Sequence, residues 1–361
     1  MSEKKRIVEY DIAKGIGILL VIVGHILPSD NILRLIIYSF HMPLFFIISG
    51  FVGRFFSDDN SRILDKSEIR LLTSYYLFSV IYFFFDIIVR FLILHEVRMN
   101  FFVRSIYETF VFYGKDTLWF ISSLVFGKIL TKYIWRIFKE KKLIIIFIGA
   151  VCVLLPSFMW NANWKVTNDS IVTYLYYFPL NFVFRTIVST GYIILGSAFA
   201  NTFKTIIRKK YFAFSSLMLF FNVIVVLLYH ISIDYHGMLI GNVLLAFFLA
   251  VTGLLGILGV SSLIKQTNIC KLSFLRLSKS SLFIMATHNY FKIIMLVSWL
   301  ISLMNVYVFL QYALTIIVVV MLECILCILV EKLFNKIVDH ITTVFYNVVV
   351  NKCFLKSLGE R

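Results

Sequence analysis

An all-α, polytopic membrane protein of about ten transmembrane helices is the fold class the sequence predicts, and three observations predict it. The 361 residues are 60% hydrophobic and only 15% charged, whereas a soluble domain carries roughly a quarter charged residues. Apolar runs of spanning length recur from end to end. Between them, Lys and Arg gather in alternate connections, as the positive-inside rule requires.

The runs fall near 8–27, 33–55, 71–90, 117–136, 143–160, 183–201, 212–230, 238–260, 281–303 and 307–330. Each is long enough for a hydrocarbon core of roughly 30 Å. The connections are short, which predicts one transmembrane domain over 1–361, with no hydrolase-like domain after the last span. The amino-terminal segment resembles a signal peptide, but Asp11 and Lys14 interrupt its apolar run and no small-x-small cleavage site follows Ile26. It reads as a retained first helix.

One set of connections carries Lys4, Lys5 and Arg6, then Arg54, Arg62, Lys66 and Arg70, then Arg136, Lys139, Lys141 and Lys142. The same side continues with Lys204 to Lys210, Lys265 to Lys279, and Lys332 with Lys336. This side is the expected cytoplasmic one, and it holds both termini. The opposite connections are nearly free of positive charge except 90–116, with Arg90, Arg98, Arg104 and Lys115. That segment is the longest outer connection, and an amphipathic helix at the interface is expected in it.

The net charge of +16 is spread in this topological pattern, which argues against a nucleic-acid partner. Cys324 and Cys327 form a C-x-x-C inside an apolar stretch without further ligands, so they read as packing residues and no metal is expected. No internal repeat is visible, which weighs against a secondary transporter.

Ionisable side chains inside a span cost several kcal/mol and each calls for a function. The first span holds Asp11, Lys14 and His25. Helical geometry puts Lys14 and His25 roughly 20° apart around the axis, with Asp11 about 40° to the other side of His25. His25 stands roughly 16 Å along the axis from Lys14. The competing view is that Lys14 snorkels and pairs with Asp11 while His25 caps the helix. On the second span, His41 is expected near the depth of His25, Pro43 implies a kink, and Ser49 with Gly50 serves either close packing or chemistry. His288 and Glu323, in the inner halves of the last two spans, are expected at similar depth, as a catalytic or a structural pair.

The runs Arg6-x-x-x-Tyr10-Asp11-Ile12-Ala13-Lys14-Gly15-Ile16 through Val23-Gly24-His25, and Phe40-His41-Met42-Pro43-Leu44-Phe45-Phe46 to Ser49-Gly50-Phe51, closely resemble the integral-membrane acyltransferase family 3. Leu118-Trp119-Phe120-Ile121 is similar to that family's Leu-Trp-Phe-Leu element, and Ser280 to His288 to its late Ser-Leu-x-x-x-x-x-His segment. The resemblance implies O-acylation of a bacterial surface polysaccharide or lipid-linked sugar at the plasma membrane. It places the family's essential histidine at His25 and its intramembrane basic residue at Lys14. The family's Arg-x-x-Arg falls at Ser67 and Arg70, so only its second arginine is kept, with Lys66 beside the first position.

On this reading no cofactor is held permanently. Cytoplasmic acyl-CoA, with acetyl as the default, is the donor substrate, and Arg70, Lys66, Arg62 and Arg54 meet its phosphates, with Ser49 beside its path. The thioester passes Lys14 to reach His25, which acts as general base or transient acyl carrier, with His41 beside it and Asp11 paired to Lys14. The alternative is a polysaccharide or lipid-linked-sugar flippase using the same polar stripe without acyl transfer. A glycan polymerase is disfavoured, since no large outer loop is present.

Overall fold

Charge and glycine content shape the first helix, α1 (Val8–Ile26). Its polar residues would be costly against lipid, and the helix is accordingly enclosed: Glu9, Asp11 and most of its apolar residues are buried. The computed structural model describes residues 7–53, 64–95, 99–139, 141–163, 171–208, 212–304 and 306–351. The chain is 85% helical, with no strand among the described residues. It is an all-α, multi-pass membrane protein.

After α1 come α2 (Ile32–Tyr38), α3 (His41–Val52), α4 (Lys66–Val89), α5 (Met99–Phe110), α6 (Trp119–Phe138), α7 (Lys142–Asn163) and α8 (Ile171–Arg208). The remainder are α9 (Phe212–Tyr229), α10 (Val243–Ile264), α11 (Asn268–Lys279), α12 (Ser281–Thr287), α13 (Ile293–Ser302), α14 (Val308–Leu326) and α15 (Lys332–Phe345). Among the described residues, six segments are long and apolar enough to cross a bilayer: Ile32–Val52, Lys66–Leu92, Tyr174–Phe203, Phe212–Tyr229, Val243–Ile264 and Val308–Val348. Helix α1 stays outside that set because it carries Glu9, Asp11 and Lys14, and α6 because it carries Lys128, Lys132 and Arg136.

Three expected spans take a different form. The 33–55 run breaks at Ser39–Phe40, and α3 starts afresh at His41. Pro43 therefore lies in the first turn of a helix, where its missing N–H costs nothing, instead of kinking a continuous span. The break is held by tertiary contacts: the Ser39 hydroxyl donates to the Ile36 carbonyl at 2.8 Å and reaches Asn222 Oδ1 at 3.3 Å, and Asn222 donates to the Leu249 carbonyl.

The 281–303 run breaks at 288–292, where Lys292 adopts φ +60°. The Tyr82 hydroxyl donates to the Ala286 carbonyl, and the Tyr82 ring stacks on Tyr290, across the break. The last helical run continues well past 330 through α15, because Phe334, Val338 and Thr342 recur at helical spacing and bury against α4. Phe78 stacks on Phe334 at 4.3 Å.

Helix α3 packs closely on α8 through two glycines. A Cβ at Gly50 would meet the Ile193 carbonyl oxygen, and one at Gly196 would meet the Ile47 carbonyl oxygen. Neither backbone position could yield without parting the helices. Helix α5 is amphipathic as expected, with Met99, Val103, Ile106 and Phe110 forming one exposed apolar stripe and Ser105 and Glu108 buried.

Candidate active site

Four helices, α1, α3, α6 and α12, line two cavities on one axis. The first, about 320 Å³, lies at the end of α1 that carries His25, and His41, Tyr38, Arg34, Asp116 and His236 reach it. The second, about 410 Å³, lies at the basic end and is lined by Lys14, Ser49, Ser67, Lys128 and Ser281 among others. Phe120 and Met285 line both, so the cavities meet at one partition. Each helix runs past it: α1 from Lys14 to His25, α3 from Ser49 to His41, α6 from Lys128 to Phe120, and α12 from Ser281 to Met285, ending on His288.

At the first cavity the histidines converge. The His25 and His288 rings lie 5.0 Å apart, and Tyr38 contacts both His25 and His41, at 6.3 and 4.7 Å between centroids. His41 Nδ1 sits 2.9 Å from the Ile37 carbonyl, and His288 Nδ1 2.8 Å from the Ile284 carbonyl. A carbonyl only accepts, so both Nδ1 atoms carry the proton and both Nε2 atoms are bare acceptors. The Ile37 carbonyl belongs to the last turn before the α2–α3 break, and His41 satisfies it from the new helix. His288 Nε2 is buried without a hydrogen-bond partner among the described residues.

The expected pairing of His288 with Glu323 is not what the structure forms. Glu323 Oε2 accepts instead from the Thr287 hydroxyl at 2.6 Å, leaving His288 to meet His25. Glu323 has no cation in its own span, and the partner on another helix that this implies is the Thr287 hydroxyl of α12. Thr287 and His288 are successive helical residues about 100° apart, so one faces Glu323 and the other His25; His288, expected in the inner half of its span, lies instead at the His25 end.

The Lys14–Asp11 pairing forms as expected, at 2.8 Å, with Asp11 buried and Lys14 opening onto the second cavity. Ser49 lines that cavity while its neighbour Gly50 makes the helix contact, so the two residues divide packing and lining between them. Arg54 and Arg62 lie outside the described residues. Lys66 is exposed. Arg70 is bound to α15: its Nε donates to Asp339 Oδ1 at 2.7 Å and its Nη2 to Asn335 Oδ1 at 2.9 Å.

The sequence reading missed Lys128, which joins Lys14 at the basic cavity, and Lys132 one turn further along α6. Lys128 Nζ lies 2.8 Å from Glu68 Oε1 and 3.5 Å from Ser67 Oγ. Lys132 bridges Asp65 at 2.6 Å and Glu68 at 3.1 Å. Two lysines four apart in an apolar helix are a signal the intramembrane-charge rule would have flagged. It would also have flagged Arg185, which is 2% exposed, stacks on Tyr113 and Trp119, and donates to the Tyr113 carbonyl at 2.7 Å.

Asp116 and His236, in the connections at the His25 end, were missed as well. Asp116 Oδ1 accepts from Asn289 at 2.8 Å. Burial pushes the Asp116 carboxyl above the usual carboxylate range, while burial and the nearby Arg185 hold the His236 imidazole down at about 3. Both effects favour neutral groups on this wall.

Fold and site together define a multi-pass membrane protein whose helices enclose two adjoining cavities, one of them walled by clustered histidines. The profile of the acyltransferase 3 family, described as an acyltransferase domain, matches residues 7–330, and the chain belongs to that family. It is a transmembrane acyltransferase, which sets the flippase reading aside. No curated protein and no solved structure gives a significant match to the chain.

Proposed function

We propose that the chain moves an acyl group, acetyl by default, from cytoplasmic acyl-CoA to a hydroxyl of a surface glycan or lipid-linked sugar. The observation that carries this reading is the pair of cavities meeting at Phe120 and Met285, with Lys14 and Lys128 on one side and His25 on the other. Donor and acceptor approach from opposite ends, and only a thin thioester arm need cross.

The basic cavity receives the CoA end, where Lys14 and Lys128 exchange their carboxylate partners for phosphate oxygens. The thioester crosses the partition to the level of His25. His25 takes the proton of the acceptor hydroxyl as its oxygen attacks the thioester carbonyl. The carbon–sulfur bond breaks, the new ester forms, and the imidazolium returns the proton to the departing thiolate. His288 is the positioning residue: with its Nδ1 held on the Ile284 carbonyl, its ring packs edge-on 5.0 Å from the His25 ring and limits how that imidazole can turn. General-base use of His25 is favoured over an acyl carrier, because both substrates can meet in one cavity.

The test is incorporation of label from acetyl-CoA into alkali-labile esters of membrane glycans, at equal expression. His25→Ala should lower it about a hundredfold or more. Undiminished labelling in that variant removes His25 from the chemistry, and loss of the protein without loss of glycan esters removes the acyl-transfer reading to glycans altogether.

A further inference from the structure

The 90–116 connection breaks the positive-inside pattern, and the structure shows where its charge goes. Arg90, Arg104 and Lys115 line a third cavity of about 400 Å³, with Phe101, Tyr113 and Glu108. Arg104 pairs with Glu108 at 2.8 Å, and Lys115 pairs with Asp86. Arg90 lies over the Phe101 ring at 3.4 Å, and among the described residues no carboxylate lies within ion-pair distance of it. Arg185 lies behind Tyr113. Three cations thus line the cavity against the carboxylates of Asp86 and Glu108, with Asp116 held toward its neutral form by burial, and the cavity keeps net positive charge.

Topology does not explain cations on this side of the protein. A ligand does. The cavity shares Asp116 and His236 with the cavity of His25. On that shared wall, Asp116 Oδ2 and His236 Nε2 are buried with no hydrogen-bond partner among the described residues, which sugar hydroxyls could supply. Beside Arg90 and Phe101 in the chain stand Phe91, Leu92, Met99 and Val103, all more than half exposed.

We infer that this cavity is the acceptor's phosphate subsite, built for a sugar carried on a lipid phosphate or diphosphate. The phosphate lies among Arg90, Arg104 and Lys115. The lipid chain lies against Phe91 and Leu92, just beyond α4, and Met99 and Val103 of α5, and the sugar extends past Asp116 and His236 toward His25. This assignment rests on the acyl-transfer reading for the direction of the sugar, but its phosphate site stands or falls on binding alone.

The experiment therefore measures binding, on the full chain in detergent, as the rise in unfolding midpoint with inorganic pyrophosphate and, separately, farnesyl diphosphate. Both should stabilise the wild type, the lipid form at lower concentration. Arg90→Gln and Lys115→Gln should each raise the half-saturating concentration about tenfold, the worth of one charge-assisted phosphate contact. Lys115→Arg should retain binding and controls for loss of the Asp86 pair. His25→Ala should bind both probes like wild type, which separates this site from the chemistry. Unchanged half-saturation in both glutamine variants places any phosphate elsewhere and overturns the assignment. Equal affinity for the two probes overturns the lipid part.

Discussion

The two adjoining cavities are built from different interactions. At the His25 end, polar side chains are tied to backbone carbonyls: His41 to Ile37, His288 to Ile284, Arg34 to Leu27 and Arg185 to Tyr113. At the Lys14 end they are tied to carboxylates: Lys14 to Asp11, Lys128 and Lys132 to Glu68, and Lys265 to Glu9. A carbonyl bond fixes a ring's orientation and tautomer without placing a charge beside it, which suits an end where a proton moves. An ion pair at the membrane edge can exchange partners with an incoming phosphate, which suits an end that captures and releases a charged donor. One end is organised for chemistry and the other for exchange.

That contrast breaks most visibly at His288. If the carbonyl-tied ring orients His25, His288→Ala should lower kcat for acyl transfer about a hundredfold with the donor KM unchanged. Single-turnover measurement with saturating acyl-CoA checks this. A variant that keeps kcat would reduce His288 to a packing residue.

The opposite pattern is expected at Lys128. Lys128→Gln should raise the donor KM about tenfold, one lost charge-assisted contact, and leave kcat at saturating donor untouched. Glu68 keeps Lys132 at 3.1 Å, so the variant does not strand a buried carboxylate. A fall in kcat at unchanged KM would place Lys128 in the chemistry and erase the division between the ends.

The stripe of Asp11, Lys14 and His25 was legible because a regular helix converts spacing directly into direction. The matching of His25 with His41 was legible from their similar depth along the first two spans. The breaks at Ser39–Phe40 and at 288–292 were not, since hydropathy continues through both. They are set by partners far away in sequence, Asn222 for one and Tyr82 for the other. The same limit applies to Asp116 and His236, which lie in separate connections and meet only through the fold. Lys128 and Arg185 were a different case: they were visible as charges within apolar runs and were passed over because the resemblance drew attention to the first two spans.

The smallest effect is expected at Arg70, where resemblance and geometry point in different directions. The resemblance assigns it to donor phosphate, but its guanidinium already spans Asp339 and Asn335 of α15. Both members of the Arg70–Asp339 pair are about half exposed, 47% and 58%, so the pair is solvent-screened and worth at most about 1 kcal/mol. Arg70→Ala should therefore leave the donor KM unchanged and lower the unfolding midpoint slightly, and Asp339→Ala should reproduce the shift. The paired variant should be no worse than Arg70→Ala alone, which already removes the contacts to both Asp339 and Asn335. A donor KM raised by Arg70→Ala but not by Asp339→Ala would show that α15 merely parks the guanidinium between donor molecules. Arg70 would then join Lys14 and Lys128 as a third exchangeable cation at the basic end.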